Sequence, residues 1–247
     1  MSKRLLLSLS GGMDSVVLLH MAADRGYDEI HTISFDYGQR HKKELKCIEQ
    51  QFEDIRSRYD IKLFNTIIDA RFLSRVSPTS SLTNTDIDNP DISKMAGDAQ
   101  PVSYVPFRNQ MFNTIACAYA ESNDIPVVWY GAAEVDSLAG YWDGSNEFLD
   151  AFNNLTALNR EHRITLEAPL LTMSKAAIVK EGVKLDVNFG KTWTCYSSRE
   201  DGLADASTPS SSMRVQGFID AKYQDPIKYV QQNRIDELYE QHGCVEI

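Results

Sequence analysis

The chain is short of cysteine, of paired metal-ligand spacings, of positive charge and of long apolar runs, and each shortage removes a class of protein. Its four cysteines, Cys47, Cys117, Cys195 and Cys244, stand far apart in the sequence. Such spacing makes neither a zinc knuckle nor a small disulfide framework, and it reads as free thiols in a reducing compartment. Lys and Arg together number 25 against 35 Asp and Glu, a formal charge of −10, which argues against a broad nucleic-acid grip. An anionic ligand must therefore meet a local cluster of cations. The opening MSKRLLLSLSGG has basic residues before an apolar run, but the run meets Gly-Gly-Met-Asp too soon for a secretory leader or a spanning helix. A cytoplasmic protein that engages neither membrane nor nucleic acid is expected. His31, His162 and His242 have no partners at metal-ligand spacing.

What is present describes an ordinary folded chain. Of 247 residues, 43% are hydrophobic and 24% charged, enough to bury a substantial core without metal or disulfide staples. Short β-type runs alternate with longer segments of helical period, the pattern of βαβ units around a mainly parallel sheet. Strands are expected over residues 5–9, 30–35, 62–68, 127–130 and 164–166, and helices over 15–24, 41–58, 109–121, 147–159 and 174–181. Gly26, Gly131 and Gly182 fall near element ends. Residues 71–101 read as a long polar loop suited to ordering over a ligand. Residues 191–212 again lack periodicity, and helices are expected at 215–232 and 234–239. The domain division is accordingly 1–190 and a C-terminal extension, 191–247.

The first strand runs directly into Ser10, Gly11, Gly12, Met13, Asp14 and Ser15, with a helix behind them. Two glycines allow close approach of a ligand to the backbone, and N–H groups at a helix start cradle phosphate. A Walker A loop would need a lysine after the second glycine, and none is there. Arg40, Arg108 and Lys175 fall at element ends on the side where open α/β sheets bind ligands, placed to neutralise a triphosphate. Asp14 could help to position Mg2+ or simply cap its helix. Trp193 could stack a purine, while an aromatic residue in such a fold is more often core.

SGGMDS resembles the SGGxDS signature of the PP-loop ATP pyrophosphatases, which cleave ATP between its α and β phosphates to adenylate a carbonyl or carboxylate oxygen. Further segments choose among them. YGQRH (Tyr37 to His41), YVPFRN (Tyr104 to Asn109), PLLTMSKAAIVKEG (Pro169 to Gly182), KTWTCY (Lys191 to Tyr196) and the run from Gln224 to Tyr229 are similar, in order, to segments of the QueC family of 7-cyano-7-deazaguanine synthases. The resemblance spans nearly the whole chain. It implies a Rossmann-like sheet of the adenine nucleotide alpha hydrolase type, with helices on both faces and a helical C-terminal extension.

The resemblance also implies roles. Arg108, Lys175 and Asp14 would be catalytic. Ser10, Gly11, Gly12, Met13, Asp14, Ser15, Ser34, Phe35 and Arg40 would bind ATP. Tyr37, Gln39, His41, Phe107, Asn109, Asp136 and Trp193 would line the substrate, 7-carboxy-7-deazaguanine, which ammonia converts to an amide or nitrile with release of AMP and pyrophosphate. ATP and Mg2+ are implied, as is a homodimer. Asp136 and Asp143 lie in a stretch similar to a substrate-reading loop, with Ala133 where the family has Asn.

Two departures stand out. The family's structural zinc uses the cysteine matched by Cys195 and three later ones, but Asp205, Thr208 and Ser211 occupy the later positions, so no zinc is expected. Phe107 stands where the family usually has glycine, and its ring must either reshape the pocket or turn away from it. A diverged enzyme that stops at the amide, or conjugates the activated deazaguanine to an amine of a partner protein in a viral or antiviral-defence setting, is the alternative. A binding module that has lost catalysis is a third reading.

Overall fold

The computed structural model describes residues 3–37, 42–80, 104–134, 141–194 and 202–247, with the backbone alone described for 42–46. Five strands form one parallel sheet: β1 (Arg4–Ser8), β2 (Glu29–Asp36), β3 (Lys62–Asp69), β4 (Val127–Trp129) and β5 (Thr165–Glu167), in the spatial order β3-β2-β1-β4-β5. β1 is central, with Leu6 opposite Val128 and Leu7 opposite Trp129. Leu5, Leu6 and Leu7 are all 0% exposed, which is why β1 reads as a continuous apolar run and not as an alternation.

Alternate residues of that run enter different cores. Leu5, Leu7 and Leu9 pack with helices α1 (Met13–Asp24) and α2 (Lys42–Arg58) and with α6 (Lys175–Lys184), through Val16, Phe52 and Ile178. Leu6 faces the opposite side, against Ala116 and Ala120 of α4 (Arg108–Ser122) and Phe148 and Phe152 of α5 (Asn146–Thr156). Helices thus cover both faces of the sheet, as the resemblance implies. A short helix, α3 (Leu73–Val76), opens the segment expected to be a loop, its Leu73 buried among the same side chains as Leu6.

The chain order matters for function. From β1 it steps outward to β2 and β3, then crosses back over β1 to β4 and β5. The reversal falls between β1 and β4, and in open α/β sheets ligands bind beyond the carboxyl ends of the strands at such a point. The segment after β1 is SGGMDS; an atom at the Cβ position of Gly131, just past β4, would lie 3.9 Å from the Ser15 amide nitrogen.

The C-terminal extension differs from its expected outline. Helix α7 spans Pro209–Ala221, starting before and ending well short of the periodic segment, and α8 spans Gln232–His242. Proline at the first helical position suits the start, since its missing N–H would be unpaired there in any case. Ser210 and Ser211 are buried, and small polar residues give no apolar period. Lys222 takes a left-handed conformation (φ 69°) that stops α7, and the chain then folds back through Asp225 and Pro226. Trp193, Val215, Ile219, Tyr229 and Tyr239 share a third core, while Phe218 and Ala221 reach into the first. The extension is therefore packed onto the sheet domain through α6 and α7.

Cys47 and Cys244 are buried and Cys117 is partly buried, its thiol pushed up to about 12 by burial. Cys195 lies outside the described residues. Among the described residues no helix is long and apolar enough to cross a membrane.

Candidate active site

The loop after β1 is shaped by its own serines. Gly11 has φ +86°, a left-handed conformation that a side chain would strain. Ser10 Oγ accepts from the Gly12 N–H at 3.2 Å and donates to Ser15 Oγ at 3.1 Å. Ser15 Oγ also accepts from the Ser10 N–H at 3.2 Å and donates to the Gly12 carbonyl at 3.0 Å. Both hydroxyls are thus spent holding the turn, and the spacing of the two serines in SGGMDS is explained by that mutual grip. Gly12 takes the position before α1 without a side-chain cap; the Met13 N–H donates to Thr194 Oγ1, and the Asp14 and Ser15 amides that follow are the ones open to a ligand in the loop. Ten of the twelve residues of α1 are buried, so this donor end is rigidly seated.

Asp14 does not cap α1. Its Oδ2 accepts from Lys175 Nζ at 2.5 Å, an ion pair between the first turn of α1 and the first residue of α6. Asp14 Oδ1 is buried with no hydrogen-bond partner among the described residues. α6 is aimed by its cap, Ser174, whose side chain accepts from the Ala177 N–H, and by α7, where only glycine fits. A Cβ on Gly217 would lie 2.8 Å from Lys175 Cβ.

Arg108 opens α4 and keeps different company. Its Nε donates to Asn109 Oδ1 at 3.1 Å, and its charge acts on Asp143, a buried carboxyl that also receives a hydrogen bond from Asn109. Burial pushes the Asp143 carboxyl above the usual range, with Arg108 and Asn109 pulling the other way. Phe107, just before α4, is left-handed (φ 57°), a conformation that favours glycine, the residue the resemblance implies at this place. Its ring is 55% exposed and meets Trp142 edge-on at 5.3 Å, while Trp142 Nε1 donates to Tyr104 Oη at 2.8 Å. The ring has turned outward to build an aromatic surface.

Several expected ligand-binding side chains serve the scaffold. Ser34 Oγ donates to the Leu9 carbonyl at 2.6 Å, pinning the end of β1. Phe35 stacks on Phe112 at 3.9 Å, and Tyr37 packs on the same ring at 5.8 Å. The Trp193 ring is buried in the third core, leaving no open face on which to stack a purine. Its backbone is what reaches the loop: the Trp193 N–H donates to the Gly11 carbonyl at 3.2 Å. Gln39, Arg40, His41 and Asp136 lie outside the described residues.

One arrangement escaped the sequence reading. Arg214 is buried and spends all five N–H groups on Asp225 (2.6 and 2.9 Å), Thr192 Oγ1 (2.8 Å), Thr194 Oγ1 (3.3 Å) and the Phe189 carbonyl (3.1 Å). Tyr229 Oη donates to Asp225 at 2.7 Å. Burial alone would discharge Arg214, but the Asp225 carboxylate holds it charged and raises its pKa above the ordinary arginine value. The clue was an arginine standing among Val215, Phe218 and Ile219 on an otherwise apolar face, with an aspartate eleven residues on.

A parallel sheet whose chain reverses at a Gly-Gly loop, opening on a buried helix, is the PP-loop kind of α/β protein. The solved NMN synthetase from Francisella tularensis is similar in fold over 97% of this chain and 85% of its own, with a TM-score of 0.51 and 15% identity. The family model for the queuosine biosynthesis protein QueC matches residues 4–222, and the chain belongs to that family. Relatives called 7-cyano-7-deazaguanine synthase are 37% identical in Thermoplasma volcanium, over 93% of this chain and 92% of that one, and 36% identical in Clostridium kluyveri, over 92% and 98%. The protein of that name from Coxiella burnetii is 34% identical, over 92% and 98%.

Proposed function

We propose that the protein is an ATP-dependent ligase of the 7-cyano-7-deazaguanine synthase kind. The observation that carries the nucleotide half of the reading is the Lys175–Asp14 pair at the start of α1, beside the Gly11–Gly12 turn. The names of the full-length relatives support the acceptor half.

In this reading the acceptor carboxylate attacks the α-phosphorus of ATP, forming an acyl-adenylate and releasing pyrophosphate. Ammonia adds to the acyl carbon and AMP leaves, giving the amide. A second ATP adenylates the amide oxygen, and loss of AMP and a proton yields the nitrile. No side-chain nucleophile is needed; the protein supplies position and charge. The loop amides take the departing pyrophosphate, and the Lys175 ammonium offsets the charge that grows on it. Arg108, beside Asn109 and Asp143, faces the acceptor.

Among the described residues, Asp14 fits Mg2+. Asp14 holds Lys175 through Oδ2 and keeps a buried, unpartnered Oδ1, the oxygen donor that a hard cation prefers. Mg2+ bound there would supply further charge neutralisation for the phosphates. Zinc is not expected in the extension. Thr208 Oγ1 donates to Ser211 Oγ at 2.9 Å, and Asp205 accepts from Ser207 and Gln231, so these side chains knit the start of α7 to itself and to its neighbours.

The exposed Phe107–Trp142 pair beside Arg108 favours a second reading, in which the acyl-adenylate passes to an amine on a partner protein or the reaction stops at the amide. Mass spectrometry of the product from ATP, Mg2+, ammonium and 7-carboxy-7-deazaguanine separates them. Nitrile supports the first reading, and amide alone the second. Absence of substrate-dependent AMP overturns both.

A further inference from the structure

We propose that Thr194 is a phosphate-binding residue of the loop, and that the buried Arg214–Asp225 pair positions it, so that the C-terminal extension is part of the nucleotide site. The inference rests on the reading that the SGGMDS loop holds the phosphates of ATP.

The segment Thr192–Trp193–Thr194 lies across the loop. On the loop side, the Trp193 N–H donates to the Gly11 carbonyl at 3.2 Å, and the Met13 N–H donates to Thr194 Oγ1 at 3.5 Å. On the far side, one nitrogen of Arg214 donates to both Thr192 Oγ1 and Thr194 Oγ1. Arg214 is itself clamped by Asp225, whose oxygens also accept from Tyr229 Oη and the Ile227 N–H. Every donor of the guanidinium is used, so its orientation is fixed.

The consequence lies in the hydrogen of one hydroxyl. A threonine oxygen accepts two hydrogen bonds and donates one. Both described partners of Thr194 Oγ1, a guanidinium and a backbone N–H, can only donate. The proton of Thr194 must therefore be directed elsewhere, and it is held beside the first amide of α1, where that helix offers its N–H groups to an anion. Thr192 makes the contrast: its hydroxyl also accepts from Arg214 but donates to the Phe189 carbonyl at 2.8 Å, and it is buried. Of two threonines held by one arginine, one closes the scaffold and the other carries a donor to the loop. A hydroxyl bonded to a phosphate oxygen and polarised by a cation behind it is a charge-assisted donor.

The test is calorimetric binding of inorganic pyrophosphate and of ATP to the full chain, with AMP release measured in parallel. Thr194→Val keeps the shape and removes the donor; it is expected to weaken pyrophosphate and to raise the KM for ATP by about tenfold, the size of one hydrogen bond to a charged group, and to lower the urea midpoint without preventing folding, since it also takes an acceptor from Arg214 and the Met13 N–H. Thr194→Ser should bind within about twofold of wild type. Asp225→Asn should weaken pyrophosphate in the wild-type background but not further in Thr194→Val, the non-additivity expected of residues acting through one another. Wild-type affinity in Thr194→Val, a serine variant as weak as the valine one, or an equal Asp225→Asn effect in both backgrounds overturns the proposal. If wild type binds pyrophosphate but releases no AMP with the deazaguanine acid, the ligase reading fails while Thr194 is still judged by binding. If wild type binds neither pyrophosphate nor ATP, both fall.

Discussion

Lys175 and Asp14, 161 positions apart in sequence, meet at 2.5 Å between the first turns of two helices. Both side chains are largely shielded from solvent, so the pair is not a surface ion pair of negligible consequence. Replacing Lys175 by methionine keeps the aliphatic stem and removes the charge. Adenylation should fall by about 100-fold or more in kcat/KM, the usual cost of losing one charge-stabilising group. Gly217→Ala should act on the same ion pair from behind, since its new Cβ would press on Lys175 at 2.8 Å. It is expected to lower activity severalfold and stability by about 1–3 kcal/mol, measured by AMP release and urea denaturation.

Phe107 combines a strained backbone with a useful ring. A non-glycine residue at φ 57° costs about 1 kcal/mol, and the edge-on contact with Trp142 returns about 0.5–1.5 kcal/mol. Phe107→Gly removes both, so its urea midpoint should stay near that of wild type. Phe107→Ala keeps the strain and loses the ring, and should be less stable by about 1 kcal/mol. Equal destabilisation by the two would show that backbone strain plays no part.

His20 sets an acid limit. It is buried in α1, with Nε2 on Gln51 Oε1 at 3.0 Å and Nδ1 on Arg58 Nη2 at 2.8 Å. Arg58 can only donate, so the ring is neutral with its hydrogen on Nε2. Burial first, and the Arg58 charge with it, lower its pKa to about 4. The unfolded chain takes up this proton near pH 6.5 and the folded one only near 4, so stability is lost as pH falls through that window, by about 3 kcal/mol in total. Urea midpoints of wild type should decline from pH 6.5 to 4 more steeply than those of His20→Gln. Parallel slopes would refute the assignment.

The extension is held without a full cysteine set. Thr208 and Ser211 bond to each other, and the buried Arg214–Asp225 pair ties the segment to the loop. Elemental analysis should find no stoichiometric zinc, and a chelator should leave the melting temperature unchanged. One equivalent of zinc per chain would contradict this.

Much of the sheet was legible because Leu5 to Leu7 and Val127 to Tyr130 are uninterrupted apolar runs between helical periods, as suits strands covered on both faces, while Ile30, Ile33 and Phe35 mark β2 although the buried His31, Thr32 and Ser34 interrupt its run. The Gly11–Gly12 turn was legible from two glycines at a strand-to-helix junction. What periodicity could not show was company. Trp193 looks the same in sequence whether its ring is buried or open to a purine. Arg214 and Asp225 form a buried pair that only the fold brings together. The start of α7 was missed because the residues it buries first, Ser210 and Ser211, are small and polar. Asp14 was left between cap and ligand, and only its approach to Lys175 decided against the cap.

The loop, with Lys175 and Asp14, is proposed to activate a deazaguanine carboxylate with ATP. The most direct measurement of that activity is AMP formed by the purified full chain from ATP and Mg2+, with and without 7-carboxy-7-deazaguanine, in the presence of ammonium. AMP formed only when the acid is present, and abolished in Lys175→Met, is the expected result. AMP independent of the acid, or none with it while ATP still binds, would contradict the account.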